Sequence, residues 1–248
     1  MTDRWRIVAY RVALLAAILG LWELLASTAI DPLWTSEPSA IAGRLWDIAA
    51  SGTLWGDVGT TALELVIGVA AGTAAGVLVA FLLGLDRTAA DIFRPFITLG
   101  YSFPQLAIAP LYVLWFGIYM TPKIILVAVV VFFIMFFSVF EGLRQVNEDL
   151  VNTLRVMGAR SRHVIPMVTL PSILLFVSTG LKTAVPFGLR AAIFAEILIS
   201  TKGLGHILKG SAEFLDSTGM FAALVLIMVV GVALNGLVTL QERLSSRW

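Results

Sequence analysis

The sequence has no cysteine and only two histidines, which excludes disulfides, thiolate zinc sites, iron–sulfur clusters and cysteine nucleophiles at the outset. His163 and His206 fall in different loops, expected on opposite sides of a membrane, and there is no His-Glu-x-x-His pair; no metal site follows. Charge is scarce as well, at 13% of residues where soluble domains carry about 25%. A Gly-x-x-x-x-Gly-Lys-Ser/Thr phosphate loop is missing, and the glycine-containing stretch 203–211 lacks that spacing. The net charge of +1 gives no sign of a nucleic-acid partner. What fills the chain is apolar: 59% of residues, mean hydropathy +0.94, gathered in blocks long enough to cross a bilayer. Six such blocks of about 20 residues use nearly half of the 248 residues. The remainder leaves no room for a second sizeable domain, so a single all-α, polytopic membrane domain over 1–248 is expected, with no built-in ATPase, kinase or sensory domain.

Apolar stretches bounded by charge or turn residues predict spans at about 8–29, 60–84, 96–117, 122–142, 173–200 and 219–240. Outside them, Arg4, Arg6, Arg11, Arg87, Arg94, Arg144, Arg155, Arg160, Arg162, Arg243 and Arg247 fall on one side. Arg44, Lys123, Lys202 and Lys209 fall on the other. Eleven against four predicts that both termini are cytoplasmic. The basic start followed by an apolar run is also the form of a signal peptide. That run exceeds the usual 7–15 residues, however, and carries Trp22 and Glu23 near its end, so a first span is expected.

Two segments outside the spans have helical patterns. In 38–51, Ile41, Leu45 and Ile48 share one face, which predicts a short helix on the outer surface. In the cytoplasmic loop 143–170, Asn147 is a good N-cap, Glu148 and Asp149 suit the positive end of the helix dipole, and Gly158 ends the helix. Leu150, Val151, Leu154 and Met157 form its apolar stripe. The stripe covers either the chain's own membrane ends or a groove on a partner protein, and spacing alone does not choose between them.

Gly158, then nine residues, then Val168-Thr169-Leu170-Pro171 resembles the cytoplasmic loop signature of the membrane subunits of binding-protein-dependent ABC importers. Asn152, Thr153 and Leu154 stand where that signature has Glu-Ala-Ala. Further segments are similar to one branch of the family, the permeases for nitrate, sulfonates and taurine. These are Leu21-Trp22-Glu23-Leu24-Leu25-Ala26, Ser36-Glu37-Pro38-Ser39-Ala40-Ile41, Phe103-Pro104-Gln105-Leu106-Ala107-Ile108-Ala109-Pro110-Leu111 with Leu114-Trp115-Phe116-Gly117, Ala195-Glu196, Gly203-Leu204-Gly205 and Ala212-Glu213-Phe214-Leu215.

The resemblance implies a permease of the type I importer fold in the bacterial inner membrane, paired with a second copy. It implies two ATPase subunits docked on the cytoplasmic loops and a solute-binding protein docked outside. ATP and magnesium are then held by the ATPases, and this chain binds no cofactor and catalyses no reaction. Leu150, Val151, Leu154, Met157, Gly158, Leu170 and Pro171 become the coupling residues, which favours the partner groove. The cargo implied is a small oxyanion such as a sulfonate, taurine or nitrate.

Within the fifth apolar block, Lys182, Arg190 and Glu196 fall inside an arc of about 120° on an ideal helix. A charge at the bilayer centre costs about 2.5–3.5 kcal/mol on insertion scales, so such groups face a partner or a wet cavity. They are the candidate lining of the solute path, with Arg190 offering positive potential to an anion; the alternative is that Lys182 and Glu196 reach toward opposite surfaces. Gly68, Gly72 and Gly76 predict close helix packing, within the chain or against its second copy. Pro104 and Pro110 predict kinks in the third span. Two rival classes fit less well. A secondary transporter should show an inverted repeat of interrupted helices and has no use for an amphipathic cytoplasmic helix. An intramembrane hydrolase should place a nucleophile and base within the spans.

Overall fold

A computed structural model describes the backbone of residues 2–245. Arg247 lies outside the described residues, as do the side chains of Arg4, Arg87, Glu148, Arg162 and Arg243. The described chain is helical: α1 (Thr2–Thr28), α2 (Pro38–Ala50), α3 (Leu54–Gly84), α4 (Arg87–Ser102), α5 (Ala109–Phe116), α6 (Met120–Arg144), α7 (Glu148–Val156), α8 (Ser161–Val164), α9 (Leu170–Ile199), α10 (Leu204–Glu213) and α11 (Ser217–Ser245). A 3₁₀ turn, Gln105–Ile108, precedes α5, and a π turn, Ile165–Thr169, leads into α9.

Five stretches are long and apolar enough to cross a membrane: Trp5–Thr28, Leu54–Gly84, Met120–Arg144, Ile165–Ile199 and Ser217–Leu240. The expected third span differs. It is a broken pair, Thr88–Ser102 and Gln105–Phe116, bent by 72°. Phe103 precedes a proline and is driven to an extended backbone (φ −68°, ψ 137°), while Pro104 has no N–H to continue the helix. Pro110, expected to kink a span, sits instead in the first turn of α5, where its missing N–H leaves no hydrogen bond unmade.

The centre of the bundle is α3, α6 and α9, packed through Leu65, Leu126, Val127, Val131, Met135, Ala184 and Leu189. Lipid is as apolar as these side chains, so the contact rests on close approach and hydrogen bonds rather than on the hydrophobic effect. The α3 glycines permit that approach: a Cβ on Gly68 would lie 2.5 Å from Val127 Cγ1, and one on Gly76 2.7 Å from the carbonyl oxygen of Phe132. Their neighbour is therefore α6 of the same chain.

Helix α1 is exposed along most of its length and joins the rest only at its end. There Trp22 meets Phe221 edge-on at 5.6 Å, and the Glu23 carboxylate accepts from Ser39 N–H (3.0 Å) and Ser39 Oγ (2.6 Å) in the first turn of α2. Helix α2 turns Ile41, Leu45 and Ile48 inward as the pattern predicts and is tied to the start of α11 by Arg44–Asp216 at 2.8 Å. Trp34, Trp46 and Trp55, each at least 75% exposed, surround this end of the bundle in the manner of a membrane-interface belt.

Candidate functional site

Three arrangements carry the functional side chains. The first is α7. Asn147 Oδ1 accepts from the N–H groups of Asp149 (2.8 Å) and Leu150 (3.4 Å), which closes the start of the helix. At its other end Ala159 N–H bonds the carbonyl of Leu154 and Gly158 N–H that of Arg155, both at 2.9 Å, with Gly158 at φ +88°. This is a Schellman ending, and the left-handed position explains the glycine. A short helix with both ends satisfied holds its shape as it projects from the bundle.

Its apolar residues do not form one stripe. Val151 and Leu154 are half-buried toward the chain's own body, whereas Leu150, Val156 and Met157 are open, the last two at 89% and 78% exposure. One edge of the helix thus packs against the chain itself, and the other is open. Val156 is not in the expected stripe, which runs through two half-buried residues, Val151 and Leu154, and two open ones, Leu150 and Met157. Asn152 and Arg155 line a groove of about 890 Å³ between α7 and the ends of α4 and α6, with Asp91 and Arg144 on its other wall. Leu170 and Pro171, both exposed, open α9 after the π turn.

The second arrangement is a cavity of about 750 Å³ between the α4–α5 break, α6 and α9. Arg190 lines it together with Tyr101, Gln105, Phe137, Thr183 and Phe187. The Arg190 guanidinium carbon lies 4.7 Å from the centroid of the Phe187 ring, a cation–π contact, and Tyr101 meets Phe137 edge-on at 5.1 Å. No acidic residue lines the cavity among the described residues.

Glu196 lies elsewhere. It is fully buried, as is Glu64, in a polar cluster where α3, α6, α9 and the start of α10 meet. Glu196 Oε1 accepts from Thr61 Oγ1 (2.6 Å) and Oε2 from Gly205 N–H (2.7 Å). Leu204 N–H bonds Thr61 Oγ1 (3.0 Å) and Gly203 N–H bonds Asp57 Oδ1 (2.8 Å). Three otherwise orphaned donors at the N-terminus of α10 are thus met by side chains of α3 and α9. Lys123 pairs with Glu64 and donates to Ser200 Oγ at 3.1 Å; the second oxygen of Glu64 has no donor among the described residues. Gly203, at φ +107°, packs its Cα face against the Glu196 carboxylate where a Cβ has no room.

Arg190 and Glu196 stand at the two edges of the arc drawn from the sequence, and the fold turns one edge to the cavity and the other to the cluster. Lys182, between them and half-buried, is not among the residues lining the cavity. Sequence reasoning missed the Glu64–Lys123 pair and placed Lys123 among outer loop charges; it is 95% buried within α6. The available signal was Glu64 itself, a carboxylate in a long apolar block that calls for a cation from another helix.

The bundle thus combines a broken third span, a helix capped at both ends and a cavity whose one charged lining residue, among the described residues, is Arg190. The chain belongs to the family of inner membrane components of binding-protein-dependent transport systems, whose model matches residues 72–247. It is 30% identical to the taurine transport system permease protein of Escherichia coli (strain K12), over 98% of this chain and 92% of that one. It is 25% identical to the putative aliphatic sulfonates transport permease protein of Bacillus subtilis (strain 168), over 94% and 85%. A chain of the MetNI methionine ABC transporter, solved in inward-facing conformations, superposes with a TM-score of 0.61 at 16% identity, covering 77% of this chain and 98% of that one. The protein is a multi-pass inner membrane permease of the ABC importer class, and the taurine and sulfonate relatives agree with the branch read from its motifs.

Proposed function

We propose that this chain is the translocation subunit of an ATP-driven importer that works as a homodimer, with both termini in the cytoplasm. Two ATPase subunits bind ATP and magnesium and dock on α7, and a solute-binding protein delivers cargo at the α10 end. The cargo is a small oxyanion such as a sulfonate, taurine or nitrate, and it passes Arg190. In this reading, closure of the ATPases moves α7 as a rigid body and the bundle with it, switching access from one side to the other. No bond is made or broken on this chain.

The observation that carries the reading is the open edge Leu150, Val156 and Met157 on a helix fixed at both ends. A capped helix presenting exposed apolar side chains is suited to a groove on a partner, and membership of a binding-protein-dependent family supplies the kind of partner. Lys182 and Glu196 remain part of the proposed path only through their influence on the potential around it.

The test is to tag the C-terminus, purify gently from native membranes and weigh the intact assembly. Two permeases with two ATPases are expected. With Val156 and Met157 both changed to Asp, the permease should still reach the membrane and the ATPases should be lost. Recovery of the unaltered chain without any ATPase would overturn the proposal and favour a secondary transporter.

A further inference from the structure

The cavity around Arg190 says more about the cargo than its sign. Thr179, Thr183, Phe187 and Arg190 recur on α9 at spacings of four, four and three residues, one stripe along the helix, and all four line the cavity. The stripe is polar or charged at three of four positions on a helix otherwise rich in apolar residues, which suits a wet surface rather than a lipid-facing one. Opposite it stand the rings of Tyr101 and Phe137, already set edge-on to each other.

Two features narrow what fits. Arg190 is the charged residue of the lining among the described residues, so an anion finds an oppositely charged partner and an ammonium finds no carboxylate. The remaining wall is dominated by rings and aliphatic side chains, and the volume of about 750 Å³ is that of a site for an organic molecule. A compact oxyanion would use Arg190 and leave the ring wall hydrated to no purpose. A zwitterion would bring its ammonium into the positive potential of Arg190, with no carboxylate of the lining among the described residues to offset the repulsion.

We propose that the cavity binds the passing solute with its anionic head at Arg190 and an apolar body along Tyr101, Phe137 and Phe187. It thereby selects organic monoanions, alkyl or aryl sulfonates or carboxylates, over inorganic oxyanions and over zwitterions. The inference rests on the importer reading and narrows the cargo proposed there: it keeps sulfonates and sets aside nitrate, which is inorganic, and taurine, which carries an ammonium. Selection then resides in the membrane subunit as well as in the protein that delivers the solute.

The absence of cysteine supplies the test. Thr183→Cys introduces the only thiol of the permease, at the cavity wall two turns from Arg190, and Thr179→Cys does so one turn further along. In the purified complex, each variant is reacted with a sulfonatoethyl and with a trimethylammonioethyl methanethiosulfonate, and the labelled permease is read by mass. Relative to a free thiol, the anionic reagent is expected to react about tenfold faster than the cationic one, as focusing of counter-ions in a charged cleft predicts. Adding Arg190→Gln should bring the ratio to about one. p-Toluenesulfonate should protect the thiol, and sulfate or taurine at the same concentration should not.

Equal rates for the two reagents would overturn the proposal. So would protection by sulfate or taurine as good as that by p-toluenesulfonate, or no reaction with either reagent in both variants, which would mean that a second copy or lipid fills the space. The ATPase content of the same preparation reads the importer proposal separately. An ATPase-free permease would remove that proposal, whereas an ATPase-bearing complex without charge discrimination would remove only this one.

Discussion

Two regions of this bundle hold charge at membrane depth, and they treat it in opposite ways. Around α10, Glu64 and Glu196 are fully buried, and each is held by a group on another helix, Lys123 in one case and Thr61 with the Gly205 N–H in the other. Around the α4–α5 break, Arg190 is exposed to a cavity, has a ring beside it and is paired with no carboxylate among the described residues. The first pattern is that of charges whose partners are built into the fold. The second leaves the counter-charge to come from outside. Polar groups inside a membrane thus divide by where their partner lies: within the fold at the cluster, and outside the described residues at the cavity, where the cargo proposed above would supply it.

The largest effect should follow from removing one member of the closed region. Lys123→Met leaves Glu64 buried without its cation, and breaking such a pair costs about 3–5 kcal/mol. The expected outcome is loss of folded permease from membranes, or a steep fall in its thermal midpoint in mild detergent. The double variant Glu64→Leu with Lys123→Met should recover most of the loss, because an apolar pair of similar volume often matches a buried ion pair. A single variant as stable as the parent would place the cluster with the cavity and end the contrast.

A smaller loss is expected at the turn into α10. Gly203 has φ +107° and no space for a Cβ beside Glu196, so Gly203→Ala strains the backbone and pushes on the carboxylate that receives Gly205 N–H. A cost of about 1–3 kcal/mol is expected, from the penalty of an unfavourable backbone region. Thermal unfolding followed by tryptophan fluorescence would report it. Gly210→Ala is the control, since it lies within the same helix with nothing near its Cβ position; it should be neutral or slightly stabilising.

The division between these regions was half legible in the sequence. Arg190 stood out as a cation deep in an apolar block, and its role as an exposed charge needed only the period of the helix. Glu196 stood out equally, yet nothing in α9 says that Thr61 and the turn at 203–205 will close around it, because those groups come from segments more than 100 residues apart or from a loop conformation. Gly203 and Gly205 were read as a motif without a mechanism; tertiary contact gives the mechanism. Proline placement had the same limit. The sequence says that a helix is disturbed near 104 and 110, but whether a proline bends, ends or begins a helix depends on the backbone before it. Helix α7 was legible because both its caps lie within the helix's own immediate neighbourhood, and only the direction of its apolar edge waited on the bundle it packs against.

The smallest effect on stability should come from Arg190, and it sharpens the contrast most. An exposed arginine without an acidic partner among the described residues loses only a cation–π contact on substitution, so Arg190→Gln should lower the stability by no more than about 1 kcal/mol. If the counter-charge is the cargo, the same variant should lower ATP-dependent uptake into reconstituted vesicles about tenfold, the worth of about 1.4 kcal/mol of lost attraction. Arg190→Lys should restore part of it, because the charge remains while the planar guanidinium over Phe187 does not. An unstable Arg190→Gln protein would show that the arginine is another built-in charge, whereas a stable protein with undiminished uptake would show that the cargo passes without it. The lysine variant then separates charge from shape: restored uptake assigns the effect to potential alone, and failure to restore it assigns the effect to the ring-stacked geometry.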